Sequence, residues 1–356
     1  MTVDDVVIEA LRAPGALADE LGELQAEQIE LIHQQQWLRM LAPRAVGGAE
    51  LSLPEAVRIE EAVSGGDGSC GWVVTLCAGA GWFAGFLPEG LARQIMATPE
   101  VCLGGSGAPT GFADRDGDSW VLSGHWNHAT GSQLATHFTF NAQLREGGLP
   151  LLDAQGAPRT HAFVVPAACV TVDLNSWNSI GLRASTSRSF SVDRARASAD
   201  QAFDIDAAKA TSAAALYRFP FEPLALATLG ACVLGLARRF VTLAQALTDR
   251  PIPRLAGASP KAREAWRTGA QLLDDSRTRF YAELDRSWAR VAGGEGLDPQ
   301  SERKLGEAAH AMVRCSREVV DTLYPFCGLR AADPRTEINR VWRDLHTATQ
   351  HTIWLR

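Results

Sequence analysis

The sequence is poor in what several functional classes require. Its seven cysteines (70, 77, 102, 169, 232, 315 and 327) form no CxxC pair and no Cys/His cluster at ligand spacing. That argues against a zinc site and against a disulfide framework, so the thiols read as reduced, buried small hydrophobes. Positive charge is short as well: 34 Lys and Arg against 41 Asp and Glu leave a net charge of −7. The field that draws a protein to nucleic acid or to an anionic membrane is therefore missing. No apolar run is expected to reach the roughly 18–20 residues of a bilayer span, and the acidic opening at Asp4 and Asp5 is unlike a signal peptide. A cytoplasmic address, without nucleic-acid or membrane partners, is the expectation. Internal repeats and low-complexity segments are lacking too. What remains is 356 residues, 46% hydrophobic and 21% charged, an ordinary globular composition able to bury a sizeable core.

Periodicity divides the chain into three. Over 1–100 the spacing is helical: Leu17, Leu21, Leu24, Gln28, Leu31 and Gln35 recur at steps of three and four. Gly47-Gly48 interrupts, Leu53-Pro54 opens a helix through Glu60 and Glu61, and Asp67 with Ser69 supplies a cap before Trp72. Over 101–206 the period becomes two, around Trp120 and Leu122, from His137 to Asn141, from His161 to Pro166, and from Val170 to Asp173. Asp116-Gly117 marks a hairpin, and the expectation is an antiparallel sheet or small barrel. Over 207–356 the helical period returns, in Leu226, Leu229, Val233, Leu236, Phe240, Leu243 and Leu247, then around Phe280 and again around Met312. Asp333-Pro334 predicts the start of a last helix through His351, and the whole reads as an antiparallel bundle.

This α+β order, helices then sheet then bundle, resembles the acyl-CoA dehydrogenase fold, and local motifs agree in sequence order. Glu60 to Trp72 is similar to the family's helix-loop-helix before the β domain. The run Gly104 to Gly111, with Gly105 and Ser106, resembles the first flavin-binding loop; Leu122 to Ser132, with Trp126, Ala129, Thr130 and Ser132, resembles the second. Ile180 to Ser187 is similar to the motif before the strand that closes the domain, and Arg340 to Asp344 resembles the Arg-Asp pair of the last helix.

Within that superfamily the motifs are closest to the two-component flavin-dependent monooxygenases. Asp67/Ser69/Trp72, Trp126/Ala129/Thr130/Gly131 and Trp342/Arg343/Asp344/His351 resemble their signatures, while Arg183-Ala184-Ser185 and His128 depart from them. A dehydrogenase needs a carboxylate base for the α-proton. The segment Gln350 to Arg356, where the family often keeps that base, offers none, and Glu222 precedes the first long bundle helix. The resemblance therefore implies reduced flavin (FMN or FAD), O₂, a separate flavin reductase and a small organic substrate, aromatic for instance, in a homotetramer. The alternatives are an acyl-CoA dehydrogenase-like enzyme with a non-standard base and a non-catalytic flavin-binding homologue.

The chemistry can also be argued from the residues. Oxygen activated on a reduced flavin survives only in a dry pocket with the flavin N5 hydrogen-bonded. The hydroxyls of Thr130 and Ser132 suit that bond, and backbone N–H groups of Gly104 to Gly107 suit flavin oxygens. A histidine titrates near working pH and serves as a proton acceptor, which points to His351 as the base. On a continuous helix Arg340, Asp344, Thr347 and His351 would share a face, with His346 turned away toward the surface. Arg340 and Asp344 read as a helix pair, and Arg343 either as a contact to a flavin phosphate of a neighbouring subunit or as a structural residue. Scattered His125, His128, His137 and His161 do not make a metal site.

Overall fold

A computed structural model of the chain describes residues 3–249 and 259–355, so Arg356 of the terminal segment lies outside it. Three short helices open it: α1 (Asp5–Arg12), α2 (Gly15–Leu21) and α3 (Ala26–Gln34). The stripe from Leu17 to Gln35 is thus divided rather than continuous. Gly22 ends α2 at φ +72°, a left-handed conformation open to a residue without Cβ. The Gln28 side chain then accepts the Gln25 backbone N–H at 3.0 Å and starts α3. Helix α4 (Leu53–Gly66) begins at a capping box, in which Glu55 accepts the Ser52 N–H at 3.0 Å and the Ser52 hydroxyl accepts that of Glu55. Asp67 alone separates α4 from α5 (Gly68–Trp82), and its carboxylate caps α5 by accepting the Cys70 N–H at 3.0 Å. A 3₁₀ turn, Phe83–Phe86, leads to α6 (Glu89–Met96).

Eight strands follow: β1 (Leu103–Asp116), β2 (Ser119–Ala129), β3 (His137–Glu146), β4 (Leu149–Pro150), β5 (Thr160–Pro166), β6 (Thr171–Asp173), β7 (Arg188–Ser198) and β8 (Ala202–Phe203). They form one sheet in the order β6-β7-β2-β1-β3-β5-β8, with β4 on β3. The β1–β2 hairpin closes at Asp116 opposite Ser119, with Gly117 at φ +62°.

The expectation of a purely antiparallel sheet needs correcting, because β1 and β3 are parallel. Strand β2 returns to the end where β1 began, residues 130–136 cross over that end, and His137 restarts opposite Leu103. The crossing is close: a Cβ on Gly104 would lie 3.2 Å from the Thr130 carbonyl oxygen and 3.3 Å from Ala135 Cβ.

The C-terminal helices are α7 (Phe221–Thr248), α8 (Pro260–Ala292), α9 (Pro299–Leu323), the single turn α10 (Leu329–Ala332) and α11 (Glu337–Ala348). Helix α11 starts at Thr336 rather than at Asp333, whose carboxylate caps a separate turn at Arg335 N. It stops at Ala348, so His351 stands beyond the helix instead of on its last turn.

Two cores result. Helices from both ends of the chain share one, where Ile32, Val57, Val74, Leu229, Phe240 and Phe280 are enclosed together. The sheet has its own around Trp126, Phe138, Phe140, Phe163 and Phe190. Helices α4 and α7 meet backbone to backbone, since a Cβ on Gly235 would lie 2.2 Å from the Glu61 carbonyl oxygen. Against the sequence expectation, the stretch Gly68–Phe86 and helix α7 are each long and apolar enough to cross a membrane by length and composition. Each has 83% of its apolar window buried inside the fold, and a helix buried on all sides is apolar on all sides.

Candidate active site

His351 sits in the turn after α11, where the Ile353 backbone N–H donates to its Nδ1 at 3.2 Å. That bond places the ring proton of a neutral imidazole on Nε2. The Trp72 indole of α5 stands edge-on to the ring, with centroids 6.0 Å apart at 64°. Burial lowers the His351 pKa, and the charge of His128 lowers it further, so near neutral pH the imidazole is uncharged, with its one free lone pair, on Nδ1, taken up by the Ile353 N–H. No carboxylate contributes to that shift.

His128 comes from the end of β2, where the backbone takes φ +65°. Its ring is edge-on to Trp177, 6.1 Å between centroids. The Trp177 indole is held in turn by donating to the Leu182 carbonyl at 3.0 Å. Two residues after His128, the Thr130 hydroxyl bonds that of Ser187 at 2.8 Å, and Ser187 bonds Ser185 at 2.9 Å. Three hydroxyls carry three protons and share two bonds, which leaves one proton for an outside acceptor. Helix α5 ties the pieces together: Trp72 touches His351, while a Cβ on Gly131 would meet Cys77 Sγ at 2.6 Å and Val73 at 3.5 Å.

Other residues singled out from the sequence fall differently. Ser132 lies in the crossover, but its hydroxyl already donates to the Thr186 carbonyl at 2.6 Å, so it has no proton for a flavin. Trp126 is fully enclosed in the sheet core, stacked on Phe190 and donating to the Asn141 carbonyl at 2.9 Å; its ring offers no face to a cofactor. Ala129 is likewise buried, opposite Arg188 in the ladder. Gly105 and Ser106 belong to β1 rather than to a free loop, paired with Thr139 and Phe140 of β3. Immediately after them the strand bulges: Ser106 and Gly111 are in register, and the exposed residues 107–110 are left out of the ladder.

Arg343 does not present a free guanidinium to a phosphate. Its terminal nitrogens grip both Asp19 carboxylate oxygens, at 2.6 and 3.1 Å, and its Nε donates to Asn339 at 2.8 Å. Arg340 and Asp344 form no ion pair with each other among the described residues. Asp344 accepts the Leu182 N–H at 2.6 Å, and burial, with Asp67 nearby, pushes its pKa up to about 7. Arg340 instead shares the space over Gly15 with Asp67, where a Cβ would lie 3.0 Å from Arg340 Nη2 and 2.6 Å from Asp67 Oδ2. His346 is not a surface residue either; it packs on Trp342 at 4.3 Å and approaches Asp321 of α9 at 3.0 Å. No group of three or more metal-ligating side chains occurs among the described residues.

Residues 227–355 match the family of the acyl-CoA dehydrogenase C-terminal domain. Along the longer chain, similarity extends to the indole-3-acetate monooxygenase of Pseudomonas putida, 24% identical over 328 residues, covering 88% of this chain and 80% of that protein. The crystal structure of the HsaA monooxygenase from M. tuberculosis superposes with a TM-score of 0.89 at 17% identity, over 98% of this chain and 91% of that one. The chain has the fold of that monooxygenase along almost its whole length. A third likeness is XiaF from Streptomyces, solved with FADH2 and glycerol, at TM-score 0.87 and 18% identity over 98% of this chain and 91% of that one.

The residues here fit a flavin, such as the FADH2 in the XiaF structure, at two points. The unladdered backbone at 107–110 and the spare proton of the Thr130–Ser187–Ser185 chain face the same needs as flavin oxygens and ring nitrogen. Sequence reasoning missed Asp19, which neutralises Arg343, and Trp177, which walls His128; neither carried a local signal. It also gave no special place to Glu60, which is fully buried on α4 without a partner for either oxygen and pushed well above its usual pKa by desolvation. Ser64 and Thr75 nearby in the helical core also bury unpaired hydroxyls.

Proposed function

We propose that this protein is the oxygenase component of a two-component flavin-dependent monooxygenase. It takes reduced flavin, as FMN or FAD, from a separate reductase and uses O₂ to hydroxylate a small organic substrate, an aromatic one for instance. Bound reduced flavin supplies the activation of oxygen. The protein's own part is to exclude water, orient the substrate and hold a proton acceptor at its edge. Thr130 hydrogen-bonds from the crossover, Trp72 and Trp177 supply apolar walls, and His351 takes a substrate proton on Nδ1 once the Ile353 N–H releases it, its Nε2–H being a donor until then.

The observation that carries this reading is His351 itself: a half-buried neutral imidazole whose titration no carboxylate influences. Removal of an α-proton with hydride transfer to flavin calls for a carboxylate base. Deprotonation of a phenol or similar group calls for an acceptor that is unprotonated at working pH and has a pKa near it, which a histidine provides. A cytoplasmic homotetramer is part of the same proposal, resting on the acidic composition and the family likeness.

The test is single-turnover mixing of the protein with anaerobically reduced FMN or FAD, then with O₂ and a panel of phenols and indoles. Hydroxylated product, by mass spectrometry, in excess of that from free reduced flavin supports the reading. Binding of flavin with no product from any compound supports a non-catalytic homologue. Bleaching of bound oxidised flavin by an acyl-CoA would favour dehydrogenation.

A further inference from the structure

Trp177 borders not only His128 but also a recess of about 140 Å³ whose other walls include Leu21, Leu174, Asn178, Arg183 and Arg188. Two guanidiniums line it and no carboxylate does. The charge balance around it is incomplete. Asp19 gives both oxygens to Arg343, so Arg183 comes no nearer than 4.0 Å to that carboxylate. Arg183 spends only its Nε, on the Asp19 carbonyl at 2.8 Å, and its terminal nitrogens donate to nothing among the described residues. Arg188 pairs with Glu23 at 2.6 Å. Three guanidiniums thus share two carboxylates.

The Asn178 amide is also without a hydrogen bond among the described residues, and the Ser179 hydroxyl is spent on the Gly181 carbonyl. Leu21 and Leu174 lie largely exposed at the lip, 61% and 66%. The interior is therefore polar, cationic and rich in uncommitted donors, and the rim is apolar. A guanidinium with two free terminal nitrogens matches the oxygens of a carboxylate or phosphate.

We propose that this recess is a subsite for the anionic group of an organic ligand, a carboxylate or a phosphate monoester. Resting on the flavin monooxygenase reading, it has two sources: the phosphate of the reduced flavin, or a carboxylate arm of the substrate. In either case Arg183 and Asn178 hold the charged end, and the ligand's carbon skeleton leads out past Trp177 toward His128 and His351.

Dissociation constants, measured without O₂, separate the sources. The probes are reduced FMN with reduced riboflavin, and an arylacetate with its methyl ester, each against native protein, Arg183→Gln, Arg183→Lys and Asn178→Asp. A flavin-phosphate site weakens FMN about tenfold or more in Arg183→Gln and Asn178→Asp with riboflavin unchanged. A substrate-carboxylate site does the same for the arylacetate and spares its ester. In both cases Arg183→Lys restores part of the affinity. Unchanged binding of both anions overturns the proposal, as do equal losses for the anion and its neutral counterpart, or failure of the native protein to bind either anion. Anion discrimination without any hydroxylated product would leave the subsite standing and sink the monooxygenase reading.

Discussion

Arg343 and Asp19 are 324 positions apart in the chain and form a two-point ion pair, 2.6 and 3.1 Å, that ties α11 to α2. Both side chains are mostly buried, at 13% and 16% exposure. Removing one partner of a buried pair strands the other charge, so Arg343→Ala and Asp19→Ala are each expected to destabilise by about 3–5 kcal/mol. Urea denaturation measures the loss. Flavin affinity per folded molecule should not change in Arg343→Ala; a selective loss there would return Arg343 to the cofactor site.

His351→Ala should leave flavin binding intact and lower the rate of product formation by about 10²-fold or more, the usual contribution of a positioned general base. Because burial and then His128 depress its pKa, the acid limb of the kcat/KM profile should lie below the 6.5 of an ordinary histidine. Replacing His128 by Gln removes the second cause, and the limb should move up. A profile unmoved by His128→Gln would show that the two imidazoles do not sense each other.

Thr130→Val deletes one hydroxyl from the chain through Ser187 to Ser185 and with it the proton nearest the crossover. Product formed per O₂ consumed should drop severalfold, while Thr130→Ser should keep it close to native. Identical coupling in native and Thr130→Val protein, read from paired oxygen-electrode and product assays, would remove the hydroxyl from the reaction.

Asp344 predicts a particular pH dependence of stability. Its folded pKa, about 7, lies well above the 3.8 of an ordinary aspartate. The folded state therefore holds a proton that the unfolded state releases, and stability falls as pH rises from about 4 through 7. At about 1.4 kcal/mol per unit the effect is on the order of a few kcal/mol. Asn at this position accepts the Leu182 N–H without ionising. Asp344→Asn should flatten the Tm profile between pH 4 and 7; a parallel downward shift at every pH would point to lost packing instead.

What was legible in the sequence was mostly local. The bundle could be read because Leu226, Leu229, Val233, Leu236 and Phe240 recur at helical spacing and are all buried in a single continuous helix. The Asp116-Gly117 hairpin was legible because the turn chemistry sits in adjacent residues. The motif order sufficed to locate the fold. The failures are non-local. Parallel pairing of β1 with β3 depends on a crossover fitting over Gly104, and the role of Arg343 depends on a carboxylate in α2. Trp126 looked like a cofactor contact because aromatic residues suit both flavins and cores, and only the stacking on Phe190 distinguishes them. The helical wheel through His351 failed because the helix ends three residues earlier.

The shared helical core has a consequence for how the protein is made. Helix α4 rests on α7, yet roughly 150 residues lie between them. At about 5–20 residues per second of synthesis, α4 and α5 wait on the order of ten to thirty seconds for the surface that buries them. Through that interval the very apolar α5 and the buried face of α4 are without their partner, while the sheet that follows them already has a complete core of its own. The nascent chain is thus most vulnerable to aggregation, and most in need of a chaperone, before the bundle emerges from the ribosome.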